Sequence, residues 1–254
     1  MKRKNLPEFL DQTGLPSWLR DSMTGYLQAG FEVNNPYTAV APILIEMLRD
    51  VNPRAVLDLA SGAGGPWPFL IRQLAAQGVE LEVTLSDLYP SQRSAPAGMN
   101  GLSYFPEPLS ALDIPASWRQ MRTIFTGLHH FDRAAIQKIL RSAQSAKAPF
   151  LGAEATQRSL RGVLVTLFVP ILALFLMPRV KPRNALSLLL TYLPPVLPLL
   201  IGWDAFASTF RTYRLEEWQA VILELEEPDY SWTVKELKTN RSPIPVTVIV
   251  GHPV

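Results

Sequence analysis

The chain has no cysteine, which excludes a disulfide framework, a thiolate nucleophile and a thiolate metal site. Histidine is scarce too: of the three present, two are adjacent, His129 and His130, so a His-rich centre is not expected and no metal is assigned. Charge of one sign is also missing. Lys and Arg total 24 against 22 Asp and Glu, a formal net charge of +2. No basic block follows the first four residues, so nucleic acid is not expected as a partner. The start Met1-Lys2-Arg3-Lys4 runs into Asn5-Leu6-Pro7-Glu8 without the apolar stretch of about 7–15 residues that a signal peptide needs. A cytoplasmic location is the default expectation.

At 254 residues the chain fits one α/β domain with an insertion, or at most two small domains. It is organised around Ala55-Val56-Leu57-Asp58-Leu59-Ala60-Ser61-Gly62-Ala63-Gly64-Gly65. An apolar run closes on Asp58, passes through small residues, and reopens at Pro66 into Phe69, Leu70 and Leu74, which spells strand, tight loop and helix. Glycines let backbone come within hydrogen-bonding range of a ligand, and an opening helix offers unpaired N–H groups. Pro66 and Pro68 are tolerated in a first helical turn. Two phosphate-binding motifs fit poorly: Trp67 stands where a dinucleotide fingerprint wants its third glycine, and the loop lacks a P-loop lysine.

Residues 81–87 alternate as a strand, and Asp87 closes it roughly 20 residues past the glycines, where an acid can accept from both ribose hydroxyls. Asp87 also has the option of capping the turn before Tyr89-Pro90. An irregular stretch follows over 91–108, then Ser110-Ala111-Leu112-Asp113-Ile114-Pro115, in which Asp113 also has the option of a turn cap. A fourth strand from Met121 enters the loop Thr126-Gly127-Leu128-His129-His130-Phe131, a helix covers 132–146, and a fifth strand ends near Glu154. Glu154 either faces substrate or caps a turn.

The order Val-Leu-Asp-Leu-Ala-Ser-Gly-Ala-Gly-Gly resembles the first motif of class I S-adenosylmethionine-dependent methyltransferases. Leu128-His129-His130-Phe131 resembles the same family's motif after the fourth strand, and the closing hairpin, strands over 230–239 and 244–250, fits its antiparallel last strand. The resemblance covers about 48–154 and 215–250. It implies a Rossmann-like, seven-stranded, mostly parallel α/β sheet and S-adenosyl-L-methionine as cofactor. The cofactor residues it implies are Asp58, Ala60, Ser61, Gly62 and Gly64 in the loop, and Asp87 on the ribose with Leu88 beside the adenine. Leu112 and Asp113 follow at the adenine amino group, and Thr126 and Leu128 at the fourth strand end. His129 and His130 are candidates for a general base near pH 7, or for shaping the pocket.

The rest divides into an N-terminal helical lid (1–50), a core of 51–159 and 212–254, and an apolar insertion (160–211). In the lid, Pro16, Gly30 and Asn34-Asn35-Pro36 read as breaks between helices. In the insertion, two uncharged runs over 163–177 and 185–203 flank Arg179, Lys181 and Arg183. Each approaches the ~20 residues that span a bilayer, but Pro170, Pro194, Pro195 and Pro198 interrupt them. A buried cap over the site, a monotopic membrane-contacting hairpin and a spanning hairpin all remain open. Tyr26, Tyr37, Glu154, Trp203, Arg211 and Tyr213 are the candidate substrate residues. The expected activity is in-line methyl transfer to a small, lipophilic acceptor. The alternative is a membrane-surface interaction protein that uses a methyltransferase-like domain as a cofactor-binding scaffold. Oligomeric state is left open.

Overall fold

The apolar run before the glycines forms β1 (Ala55–Asp58) in a computed structural model that describes residues 1–49, 54–90, 99–181, 183–225 and 227–254. The other strands are β2 (Glu82–Leu85), β3 (Leu102–Tyr104), β4 (Met121–Phe125), β5 (Phe150–Glu154), β6 (Tyr230–Leu237) and β7 (Val246–Pro253). They make one seven-stranded sheet in the order β3-β2-β1-β4-β5-β7-β6. Strands β1 to β5 pair in parallel, and β7 runs antiparallel to both β5 and β6. This is the expected sheet.

Every residue of β4 and β5 is buried, as a parallel strand covered by helices on both faces requires. Successive side chains of β1 alternate between two cores. Val56 joins Leu44, Trp67, Leu70 and Leu74 on one face, and Leu57 joins Ile136, Leu140, Trp218 and Val221 on the other. The covering helices include α1 (Ser17–Val33), α2 (Ala41–Met47), α3 (Trp67–Ala75) and α4 (Arg133–Ser145). Pro66 opens α3, and Asp132 caps α4 by accepting from the Ala135 N–H at 2.8 Å.

Two local expectations change. Gly30 does not break the lid: it lies inside α1, where a Cβ would only touch the end of Leu176. The stretch expected to be irregular contains β3, a three-residue edge strand too short to show an alternating pattern; its part over 91–98 lies outside the described residues, as does the 50/51 boundary of the lid.

Between β5 and β6 come α5 (Leu160–Thr166), α6 (Val169–Leu176), α7 (Ala185–Tyr192), α8 (Val196–Arg211) and α9 (Leu215–Leu223). The inner side of this insertion, with Ala173, Met177, Leu197 and Ile201, packs on Met23, Tyr26 and Ala29 of α1. Its outer side leaves Leu167 62 %, Phe175 65 %, Leu193 75 % and Leu199 64 % exposed. The stretch Leu160–Arg179 is long and apolar enough to cross a membrane, with 22 % of its most apolar window buried, and α7 and α8 meet at 82°.

Candidate active site

The sheet order reverses direction between β1 and β4, and the carboxyl ends of parallel strands at such a switch point are where ligands bind in open α/β sheets. A cavity of ≈ 330 Å³ opens there, lined by Ala60, Ser61, Gly62, Asp87, Thr126 and His130 among others. That volume falls in the about 300–1,000 Å³ range of ligand pockets. A larger groove beside Gln219, Tyr230 and Val254 lies at the opposite end of the sheet, away from the glycine loop.

The glycine loop is held by its own backbone and two acids. Gly62 has φ +53, and a Cβ there would come within 3.3 Å of Thr24 Cγ2 on α1; Gly64 has φ +103. Both conformations favour glycine. Ala60 (φ 53) and Thr126 (φ 52), just past the ends of β1 and β4, are also left-handed and both line the cavity. Such conformations in non-glycine residues cluster at functional sites. The Gly62 N–H donates to Asp87 Oδ2 at 2.8 Å, the Tyr89 N–H to Asp87 Oδ1 at 2.9 Å, and the Tyr104 hydroxyl to the Gly62 carbonyl at 3.0 Å. Burial raises the Asp87 carboxyl above its usual range, against those two backbone donors and Arg20.

Asp58 serves differently. It is 1 % exposed, lies under the loop and off the cavity, and accepts from Thr123 Oγ1 at 2.5 Å. Burial pushes its carboxyl up to about 6. Leu88 and Leu112 line the cavity, while Asp113 is exposed in a turn, with its N–H donating to the Ser110 carbonyl at 3.0 Å. Gly64 and Leu128 are buried behind the lining.

The other side of the cavity is a polar knot. Glu154, 1 % exposed, accepts from the N–H groups of Leu128 at 2.6 Å and His129 at 3.2 Å, and lies 2.8 Å from His129 Nδ1. His129 is buried off the cavity, and His130 lines it with Nδ1 2.7 Å from Asp11 Oδ1. Arg211 donates to the carbonyls of His130 at 2.9 Å, His129 at 3.3 Å and Leu6 at 3.3 Å, and to Asp11. Tyr213 donates to the Phe131 carbonyl at 3.3 Å under the Arg3 guanidinium. Trp203 donates to the Pro7 carbonyl at 2.9 Å. The buried Tyr37 hydroxyl bonds Thr126 Oγ1 and accepts from the Ala155 N–H at 3.0 Å. Tyr26 packs against the insertion. None of the six candidate substrate residues lines the cavity; they hold the elements that do.

The N-terminal segment supplies what sequence reasoning missed. The Phe9 and Leu10 N–H groups donate to Asp204 at 2.8 and 3.1 Å, which carries Glu8 and Asp11 to the histidines. Glu8 is 2 % exposed, and burial pushes its carboxyl up to about 7. Glu8, His129 and His130 offer donor atoms within 4.8 Å of one another, a set able to hold a metal ion. Asp11 reaches His130 across 119 residues of sequence, so no local motif announces it.

Three solved structures are similar over nearly the whole chain. One is the plantazolicin methyltransferase BpumL in complex with SAH, at 8% identity, covering 92% of this chain and 95% of that chain with TM-score 0.54. The plantazolicin methyltransferase BamL, in complex with a triazolic desmethylPZN analog and SAH, gives 12%, 93%, 98% and 0.52 on the same measures. BpumL in complex with a monoazolic desmethylPZN analog and SAH gives 10%, 92%, 97% and 0.50. No protein-family model matches the chain, and no curated protein does. The chain has the fold of the class I methyltransferases, with the strand order and antiparallel last strand described above.

Proposed function

We propose that the chain is an S-adenosyl-L-methionine-dependent methyltransferase acting on a small, lipophilic acceptor. The observation that carries this is Asp87: its carboxylate stands at the edge of a cavity formed by the glycine loop, two left-handed strand ends and apolar Leu88 and Leu112. An adenosine fits that chemistry. Asp87 would take the ribose hydroxyls on the lone pairs that Gly62 and Tyr89 leave free, the leucines would flank the base, and Thr126 and Gly127 would border the amino-acid end.

When bound, the cofactor supplies an activated methyl group, so the protein's task is alignment, which can contribute roughly 7–11 kcal/mol. Of the histidine pair, His130 faces the acceptor side, while His129 orients the turn from beneath. Thr24, Leu27 and Phe31 of α1 close the cavity from above and exclude water.

The insertion's outer face supports the apolar acceptor class. Between residues 155 and 203 there is no Asp or Glu, while Arg161, Arg179, Lys181 and Arg183 are exposed beside the uncovered leucines and phenylalanines. Apolar residues rimmed by cations suit peripheral contact with an anionic lipid surface from the cytoplasmic side. A lipid-dissolved acceptor would then lie close to α1.

Calorimetric titration with S-adenosyl-L-methionine and with SAH tests the central reading. Saturable binding of both supports the cofactor site and justifies a screen of lipophilic acceptors for methyl transfer, whereas no binding to folded protein sinks the enzyme reading. Flotation with anionic liposomes tests the surface: the double variant Leu167→Glu, Phe175→Glu should lose flotation while keeping cofactor binding. Equal flotation of variant and wild type would refute membrane contact.

A further inference from the structure

Two imidazoles and one carboxylate converge beside the cavity in a geometry that cofactor binding leaves unused. Glu8 Oε1 is buried and has no hydrogen-bond partner. It lies 3.9 Å from His129 Nε2, and Glu8 Oε2 lies 3.7 Å from His130 Nε2. These separations are too long for hydrogen bonds, but near the span of ~3.3 Å between donors of a tetrahedral ion with bonds of about 2.0 Å.

The far nitrogen of each ring is already committed to a carboxylate, His129 Nδ1 to Glu154 at 2.8 Å and His130 Nδ1 to Asp11 at 2.7 Å. A carboxylate on the far ring nitrogen is the arrangement that stands behind metal-bound histidines, and each ring has its Nε2 on the side of a Glu8 oxygen. Arg211 Nη1 also stands 3.4 Å from Glu8 Oε1.

We propose that Glu8, His129 and His130 bind a divalent transition-metal ion in a two-histidine, one-carboxylate set with coordination positions left open. Of the three ligands His130 lines the cavity, so an oxygen ligand such as a hydroxyl or carboxylate would reach the ion from that side. That acceptor role rests on the methyltransferase reading; the metal site does not.

The test uses Zn²⁺ and Mn²⁺ alone as probes. Full-length protein made without a metal-affinity tag is stripped with chelator, titrated calorimetrically, dialysed and analysed for metal. The expected result is one ion per chain. Glu8→Gln should abolish stoichiometric uptake, and Asp11→Asn should weaken it by about 10–100-fold, as outer carboxylates do at such sites. His252→Ala, exposed at the opposite end of the sheet, should leave uptake unchanged. S-adenosyl-L-methionine titrated into the same samples reports folding and tests the other reading separately. Cofactor binding without metal overturns the metal site alone, and metal binding without cofactor overturns the methyltransferase alone. Wild-type protein that retains neither ion, or folded Glu8→Gln protein that binds like wild type, overturns the proposal.

Discussion

The two sides of the cavity are built from opposite materials. On the glycine-loop side the backbone sets the shape: Gly62, Gly64 and Ala60 adopt left-handed conformations, and Asp87 reads backbone N–H groups. On the histidine side the shape comes from side chains on distant segments, with Arg3 reaching Arg211 across 208 residues and Asp11 reaching His130 across 119. A backbone-built half is local and depends on few side-chain bonds. A half built from buried charges concentrates many bonds in few residues, so single substitutions there should remove several at once.

The sharpest test is therefore Arg211→Met. Arg211 is 3 % exposed and serves three carbonyls and Asp11, with Glu8 alongside. Breaking a buried charge pair from one side destabilises by about 3–5 kcal/mol, which for a chain of this size lowers Tm by on the order of 10 °C. Thermal and chemical denaturation would measure it. A change no larger than that of a surface substitution would erase the contrast between the halves.

Asp87→Ala probes the other side and should reverse the pattern. Two hydrogen bonds to a charged carboxylate, each contributing about 1.5 kcal/mol or more, translate into cofactor affinity weakened by about 100-fold. Stability should shift less than for Arg211→Met, because Gly62 and Tyr89 can turn to water. Unchanged affinity in the calorimeter would remove Asp87 from the cofactor site.

What the sequence made legible follows the same division. The loop from Asp58 to Gly65 and the acid at Asp87 fall within one strand-loop-helix-strand unit, so spacing alone brings them together. The antiparallel last strand was expected from the resemblance to the methyltransferase family, while the strand order required the tertiary structure. The histidine pair was visible, but Glu8 and Asp11 were not, because their positions depend on Asp204 accepting from the Phe9 and Leu10 N–H groups, a contact between chain regions that share no motif. The insertion was legible as apolar, while its split into a face packed on α1 and an uncovered face required the tertiary structure.

Asp58 supplies an intermediate effect and ties the loop to pH. Burial raises its carboxyl from the ordinary range to about 6, so between about pH 4 and 6 the folded chain binds a proton that the unfolded chain has released. The stabilisation is complete below the unfolded value near 3.9 and is lost as pH rises through 6. Wild-type stability should fall across that window by on the order of 3 kcal/mol relative to Asp58→Asn, which keeps an acceptor for Thr123 and cannot titrate. Parallel pH profiles of the two proteins in urea would disprove the assignment.

The smallest effect separates the halves by sign. Ala60 and Thr126 share nearly the same left-handed φ, 53 and 52, and a left-handed conformation destabilises an ordinary residue by roughly 1–2 kcal/mol. Glycine relieves that strain but loses about 0.5–1 kcal/mol through its freer unfolded chain. Ala60 makes no side-chain hydrogen bond, so Ala60→Gly should be neutral to stabilising by up to about 1 kcal/mol. Thr126 carries the bond to the buried Tyr37 hydroxyl, whose loss costs about 1 kcal/mol or more. Thr126→Gly should therefore destabilise although the same strain is relieved. Paired urea denaturation curves of the two variants decide the matter, because equal shifts of the same sign would mean that backbone alone shapes both sides of the cavity.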